Sequence, residues 1–186
     1  MLISSAFVRA VACAVLLAAA LVFSGCATKD VRAFAGREPR LVPEKYFQGK
    51  TVSWGVVEDR FGKVRREFTQ EIHGRREQGG VRLDQKFTYS DGEVERRTWW
   101  IRKAGEHRYV GVANDGTGKG EAHGNAFRWT YDLNVSVGSS KTKVHFDQLM
   151  LLQPGNVLIN RCTFSKFGVR LGTVSEFFRK ESRPGS

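Results

Sequence analysis

Cysteine and histidine are the residues of this 186-residue chain best suited to nucleophilic or metal chemistry. Cys162 would need a nearby base to act as a thiolate, and His145 is the histidine that a neighbouring strand could bring close. The spacing does not require that pairing, and the alternation around Cys162 is typical of a small buried hydrophobic residue. The histidines fall on different predicted strands, whereas a metal site needs converging ligands. We therefore predict no metal and no cofactor.

The segment at 115–120, Asp-Gly-Thr-Gly-Lys-Gly, has some features of a phosphate-binding loop. It lacks the Gly-x4-Gly-Lys-Ser/Thr spacing, and a strand follows it where such loops need a helix N-terminus for their anion affinity. We interpret the segment as the tip of a hairpin. No Gly-x-Ser-x-Gly elbow is present, and no Ser-His-Asp arrangement can be assembled from spacing. We therefore predict no catalytic residues.

Many aromatic side chains share one phase of the alternating pattern. The plain interpretation is a hydrophobic core, and the functional one is an apolar cavity whose polar groups orient a ligand. Under the second interpretation, the candidate ligand-binding residues are Tyr89, Arg97, Trp99, Asn125, Trp129, Tyr131 and Lys166. Arg97 shares the face of Trp99. It must be paired with an acid or directed at a ligand head group, because an unpaired buried charge is costly.

Period-two alternation of apolar and polar residues begins after Tyr46-Phe47 and indicates strands with one buried and one wet face. The pattern predicts strands at 81–90 and 93–103, joined by a hairpin turn at Asp91-Gly92, and a single long strand at 121–137. Short turns between sequential strands make an antiparallel meander, and closure removes its exposed edges. We predict an all-β, antiparallel up-and-down barrel of about eight to ten strands. A two-sheet sandwich is the alternative.

The N-terminus reads as an export signal at 1–25, in which Arg9 precedes an apolar run at 10–23. This run, predicted as a signal helix, is too short to span a membrane, which takes about 20 residues. The sequence Phe23-Ser24-Gly25-Cys26 resembles the lipobox of bacterial lipoprotein precursors. That resemblance implies cleavage after Gly25 and palmitate-type acyl chains on Cys26. Ala27 in place of Asp resembles sorting to the periplasmic face of the outer membrane in Gram-negative bacteria.

The rest of the chain divides by composition. Residues 26–43 mix charge, Gly and Pro without a period, which predicts a tether. Residues 44–180 form the predicted barrel domain, and 181–186 form a tail. The formal charge of +11 is spread along the chain rather than clustered, so we predict no nucleic-acid partner. A dispersed basic charge is typical of a solvated surface, and its functional interpretation is attraction to anionic lipid headgroups. The predicted partner is a membrane, reached through the anchor on Cys26.

Several segments together resemble one family, the lipoproteins grouped as domain of unknown function 3833. They are Tyr46-Phe47-Gln48-Gly49, the run at 83–93, Arg97-Thr98-Trp99, Gly124-Asn125-Ala126 and Lys166-Phe167-Gly168. The resemblance implies a lipocalin-like barrel in the cell envelope, often encoded beside lipid-modifying enzymes, and no established activity. The chain departs from the family pattern at 147–150, where two acids and a Trp are replaced by Asp-Gln-Leu-Met.

Three hypotheses follow. The first is a binding protein that holds or carries an apolar ligand, such as a fatty acyl chain or a lipid, inside the barrel. The second is a solid-cored structural or interaction lipoprotein of the outer membrane with no ligand. The third is a lipid-modifying enzyme, for which Arg97, Asp115 and Asp147 are the residues to test. The sequence favours a binding role over catalysis.

Overall fold

A computed structural model describes residues 30–137 and 140–181 of the chain. In this part, ten antiparallel strands close into a barrel in which neighbours in sequence pair and the first strand pairs with the last. The strands are β1 (Gly49–Asp59), β2 (Val64–Glu77), β3 (Gly80–Tyr89), β4 (Val94–Lys103), β5 (Arg108–Ala113), β6 (Gly116–His123), β7 (Ala126–Val137), β8 (Ser140–Leu152), β9 (Val157–Lys166) and β10 (Val169–Lys180). The prediction of an all-β up-and-down barrel is confirmed, and the alternative of a sandwich is wrong. The predicted signal helix at 1–25 and Cys26 lie outside the described residues.

The alternating sequence pattern produces the two faces of the wall. On β7, Phe127, Trp129, Tyr131 and Leu133 are all buried inside the barrel. Residues between them, such as Arg128, pair on the outside with neighbouring strands. Burying one face of each strand in this way supplies the hydrophobic stabilisation of the fold.

The segment predicted as one strand at 121–137 is two strands, β6 and β7, joined by a tight turn. Gly124 adopts a left-handed φ of 52° there. Ala122 and Phe127 both face the interior, although one has an even and the other an odd position in the sequence. A continuous strand would have pointed them to opposite faces, so the chain must turn between them.

The barrel has two ends, which we call the mouth and the closed end. The mouth carries the turns at 60–63, 90–93, 114–115 and 167–168, and the closed end carries those at 78–79, 104–107, 124–125 and 153–156. Successive turns alternate between the ends because each strand reverses the direction of the chain.

The segment before β1 covers the closed end. It contains a 3₁₀ helix (Val31–Phe34) and the short helix α1 (Pro43–Tyr46), and Val31 and Leu41 are buried against the barrel. Leu41 donates its backbone N–H to Gly124 O at 2.8 Å. Across residues 30–137 and 140–181, no helix combines the length and apolar composition needed to span a bilayer.

Lys180 fixes this cover to the last strand. Its ammonium donates to Tyr46 O at 2.6 Å and to Gln48 O at 2.5 Å. These carbonyls lie at or just beyond the end of α1, where no helical donor reaches them, and a cation there also complements the helix dipole. The phenyl ring of Phe47, in the same segment, lines the interior cavity with its centroid 5.9 Å from that of Phe178.

Candidate functional site

The interior of the barrel encloses a cavity of about 560 Å³. Ligand pockets for small molecules have volumes of about 300–1,000 Å³, so this one is of ligand size. Toward the closed end its walls are aromatic and aliphatic and fully buried, from Phe47, Ile72, Phe127 and Phe178. Toward the mouth the lining becomes exposed, reaching 37% at Leu171. The cavity therefore opens to solvent at the mouth.

One wall of the cavity is shaped by glycines on β5 and β6. A Cβ on Gly118 would lie 2.5 Å from Trp129 Cζ2, and one on Gly111 would lie 2.9 Å from Trp129 Cη2. The indole of Trp129 therefore rests on a strip of bare backbone. The interpretation of 115–120 as a hairpin tip is wrong for residues 116–120, which lie in β6; of this segment only Asp115 is in the turn. Gly118 and Gly120 instead make room for the rings of Trp129 and Phe127.

Trp129 belongs to a connected set of aromatic rings. Trp99 meets Trp129 edge to face at a centroid distance of 5.6 Å and meets Tyr131 in the same way at 5.3 Å. Tyr131 in turn stacks on Phe146 at 4.9 Å. Such contacts fix each ring in position, so this wall is a rigid apolar surface.

Arg97 lies in the cavity wall nearer the mouth, largely buried. Its guanidinium pairs with Glu95, and Glu95 also accepts a hydrogen bond from the Tyr89 hydroxyl at 3.0 Å. Arg97 Nε is buried and has no hydrogen-bond partner among the described residues. Glu95 thus compensates the charge of Arg97, but the Nε–H of the guanidinium stays available for a further hydrogen bond.

Lys166 lies at the entrance of the cavity. Its ammonium reaches Thr142 Oγ1 at 3.4 Å and lies 5.2 Å from the ring centroid of Phe167. Within the described part of the chain it has no carboxylate partner. By contrast, Arg97 is paired with Glu95, and Arg66, a third lining cation, is bound by Asp91 and Glu93 at 2.8 Å each. Lys166 is therefore the lining cation best placed to attract an anionic group.

Glu176 is a buried carboxyl on β10 that also lines the cavity, and sequence reasoning did not identify it. Ser53 Oγ lies 2.6 Å from its Oε1, and Asn160 Nδ2 lies 3.2 Å from its Oε2. Burial raises the pKa of Glu176 to about 7, against the opposing effect of these two hydrogen bonds. The signal was present in the alternation Val174, Glu176, Phe178, which assigns the carboxyl to the apolar face.

The hydrogen bonds around Ser53 agree with a protonated Glu176. Ser53 Oγ has a single proton, yet it lies near two acceptors, Glu176 Oε1 and, at 3.1 Å, Gln70 Oε1. If the carboxylic acid donates to Ser53, the serine can donate to Gln70, and each contact is satisfied. Neutral Glu176 thus fits its buried position.

Six of the seven residues predicted to bind a ligand line this one cavity: Tyr89, Arg97, Trp99, Trp129, Tyr131 and Lys166. Asn125 does not line it. Asn125 lies in the β6–β7 turn at the closed end, where its side-chain amide donates to Leu152 O at 3.0 Å. We therefore leave Asn125 out of the candidate site.

The other residues considered for chemistry lie apart from one another. Cys162 is buried and lines the cavity, whereas His145 is exposed on the outer face and bonds Asp132 at 2.8 Å. Asp147 lies outside as well, paired with Arg128, and Asp115 lies in the turn between β5 and β6. In the described ranges, no three His, Cys, Asp or Glu side chains converge as metal ligands would.

Comparison with known families gives a match over most of the chain. The model for a protein family of unknown function, DUF3833, covers residues 20–180. The chain belongs to this family. The match spans the whole barrel, so the DUF3833 fold in this chain is the closed ten-stranded barrel described above. A comparison with curated proteins found no match.

Proposed function

We propose that this DUF3833 protein is a lipid-anchored envelope protein whose barrel binds a single-chain amphipathic ligand, an acyl chain with an anionic head group. The observation that carries the proposal is the polarity gradient of the cavity. Its inner part is lined by buried aromatic and aliphatic side chains, and its entrance carries the ammonium of Lys166 without a carboxylate partner. An acyl chain matches the first region and a carboxylate or phosphate matches the second.

The volume and openness of the cavity support a ligand over a solid core. Well-packed interiors leave few voids larger than a water molecule, and an empty apolar cavity destabilises the fold that contains it. The bare glycine strip under Trp129 widens the interior further. A purely structural lipoprotein would gain stability from lining side chains large enough to fill the cavity.

The anchor in this proposal is Cys26, which places the protein on a membrane of the bacterial envelope, at the periplasmic face of the outer membrane. The described chain begins at residue 30, beside the closed end. Four residues extend at most about 14 Å, so a lipid on Cys26 would hold the closed end near its membrane. Labelling of cells with a palmitate analogue tests this: we expect labelled protein from the native chain and none from Cys26→Ser.

Ligand binding is tested on protein purified from its own host, by native mass spectrometry followed by lipid extraction. We expect a bound single-chain acyl anion. Val174→Trp should prevent this, because Val174 lines the cavity and an indole there would occupy part of the space that an acyl chain needs. The matched control is Ser175→Trp, which puts the same ring on the outer face of β10.

The outcomes separate the hypotheses. Loss of the bound lipid by about tenfold or more in Val174→Trp, with retention in Ser175→Trp, supports the proposal. Repeated absence of any lipid from the native protein would contradict it, as would equal retention in both variants.

A further inference from the structure

Two phenylalanine side chains at the mouth are largely exposed to solvent. Phe61, in the β1–β2 turn, is 80% exposed, and Phe167, in the β9–β10 turn, is 93% exposed. The smaller apolar residues Val64, Val169 and Leu171 are exposed beside them. Exposing a large aromatic ring to water gives no stabilisation to the barrel, so the packing of the fold does not account for these rings.

The backbone conformation at Phe167 also indicates that folding does not account for this ring. Phe167 has a φ of 51° and Gly168 a φ of 78°, the arrangement of a two-residue type I′ turn. Asn or Gly is favoured at the first of these positions, and a bulky side chain is an outlier there. The turn therefore keeps a phenyl ring at a position where Asn would fold more easily.

The two rings belong to a single surface. β1 and β10 are paired, with Asp59 opposite Gly172, so their turns are neighbours at the mouth. The guanidinium of Arg170 also donates to Arg60 O at 3.2 Å, which ties one turn to the other. We call the surface formed by Arg60, Phe61, Lys63, Lys166, Phe167 and Arg170 the mouth patch.

The mouth patch is basic as well as aromatic. Arg60 lies 4.8 Å from the ring centroid of Phe61, and Lys166 lies 5.2 Å from that of Phe167. Neither Lys63 nor Arg170 has a carboxylate partner in the part of the chain that the structure describes. The nearby carboxylate of Asp59 is used by Arg65 at 2.7 Å. The patch therefore has uncompensated positive charge.

We propose that the mouth patch docks on the surface of an anionic phospholipid bilayer. Aromatic rings flanked by Lys and Arg are the side chains that settle at the headgroup level, with the ring toward the acyl chains and the cation at the phosphates. Each cation near such a surface adds roughly fivefold to affinity. The patch consists of two projecting turns rather than a groove or flat face, a shape that inserts between lipids and offers little area to a protein partner.

The mouth patch also borders the cavity. Lys166 and Leu171 line the entrance of the cavity and are part of the mouth, so a docked bilayer would face that entrance. The patch lies at the end of the barrel away from residue 30, and it can therefore engage a surface other than the one that would hold an anchor at Cys26. Docking stands on the exposed rings and cations alone and does not require that a ligand be bound.

Vesicle sedimentation tests the proposal with a chain that begins at Ala27, which lacks the anchor and retains all of the described barrel. We expect binding to vesicles of phosphatidylcholine with phosphatidylglycerol, weak binding to phosphatidylcholine alone, and loss of binding as salt rises. Phe61→Ser and Phe167→Asn should each lower the affinity about tenfold. Phe167→Asn should unfold at an equal or higher temperature than the native chain, since Asn suits the turn.

The matched controls are Trp54→Ser and Phe177→Ser, which remove rings that are 46% and 51% exposed on the outer wall. These should bind vesicles like the native chain. No binding of the native chain to anionic vesicles overturns the proposal, and so does an equal loss in the wall variants. A dimer in analytical ultracentrifugation that Phe167→Asn abolishes, without vesicle binding, would assign the patch to contacts between protein chains instead.

Discussion

The closed end and the mouth of the barrel are made of the same residue types, but they use them differently. At the closed end, Lys180 is bonded to backbone carbonyls, and Phe47 is buried with edge contacts to Tyr46 and Phe178. At the mouth, Lys166 has no carboxylate partner in the described chain, and Phe167 is in water. At the closed end, these residues make contacts that stabilise the fold. The mouth retains groups that folding does not use, and these groups indicate function.

The largest expected difference in stability between the two ends is seen on comparing Phe47 with Phe167. Phe47→Ala removes a buried ring that closes the barrel, and we expect a loss of about 3–5 kcal/mol in the free energy of unfolding. Phe167→Ala at the mouth should change it by less than about 0.5 kcal/mol. Urea denaturation measures both. Similar losses at the two ends would show that the mouth ring is structural.

Glu176 adds a pH dependence that belongs to the cavity wall between the ends. The folded chain holds this proton up to pH about 7, whereas an ordinary glutamate in the unfolded chain releases it near 4.5. Between these values only the folded state binds the proton, so stability falls as pH rises, by on the order of 3 kcal/mol, and is level above pH 7.

Glu176→Gln should remove that slope, because the amide has no proton to lose. Glu71→Gln, on the outer face, should retain it. Denaturation midpoints measured across the range from pH 4 to 8 compare the variants with the native chain. An unchanged slope in Glu176→Gln would mean that Glu176 is ionised in the fold despite its burial.

The glycine strip sharpens the comparison within the cavity. Gly118→Ala puts a methyl group 2.5 Å from Trp129 Cζ2 and should cost about 1–3 kcal/mol as the indole is displaced. Thr117→Ala, exposed on the same strand, should cost less than about 0.5 kcal/mol. Thermal unfolding with tryptophan fluorescence reports both stability and the movement of the indole. Equal stability of the two variants would show that a methyl group at position 118 fits beside Trp129 without displacing the indole.

The smallest expected effect concerns the two lysines. Lys180→Met leaves the carbonyls after α1 without their donor and should cost about 1–2 kcal/mol. Lys166→Met removes no carboxylate pair and should change stability by less than about 0.5 kcal/mol. Chemical denaturation of the two variants side by side distinguishes them. A larger loss for Lys166→Met would place Lys166 among the residues that hold the fold together.

Much of the barrel was predictable because alternation is a local signal. The phase of Trp99, Trp129 and Tyr131 along their own strands placed them on one interior face, and the structure confirms it. The turn at Gly124 was missed, although the change of parity between Ala122 and Phe127 marks it.

The polar part of the candidate site depended on pairing between strands far apart in sequence. Ser53 and Glu176 meet because β1 closes on β10, a register that no local pattern fixes. Likewise, the glycines at 116–120 are explained only once Trp129 is seen to lie on them. Their spacing alone suggested a loop that binds phosphate, an interpretation that the sequence itself already argued against.

The most direct test of an anionic acyl ligand is a paired titration with a fluorescent fatty acid and its corresponding alcohol. We expect the native chain to prefer the acid by about tenfold, and Lys166→Gln to lose that preference while its affinity for the alcohol is unchanged. Lys143→Gln, which removes an outer lysine bound to Asp132, should keep the preference. Failure of the native chain to bind either probe saturably, or a preference that survives in Lys166→Gln, would contradict the account.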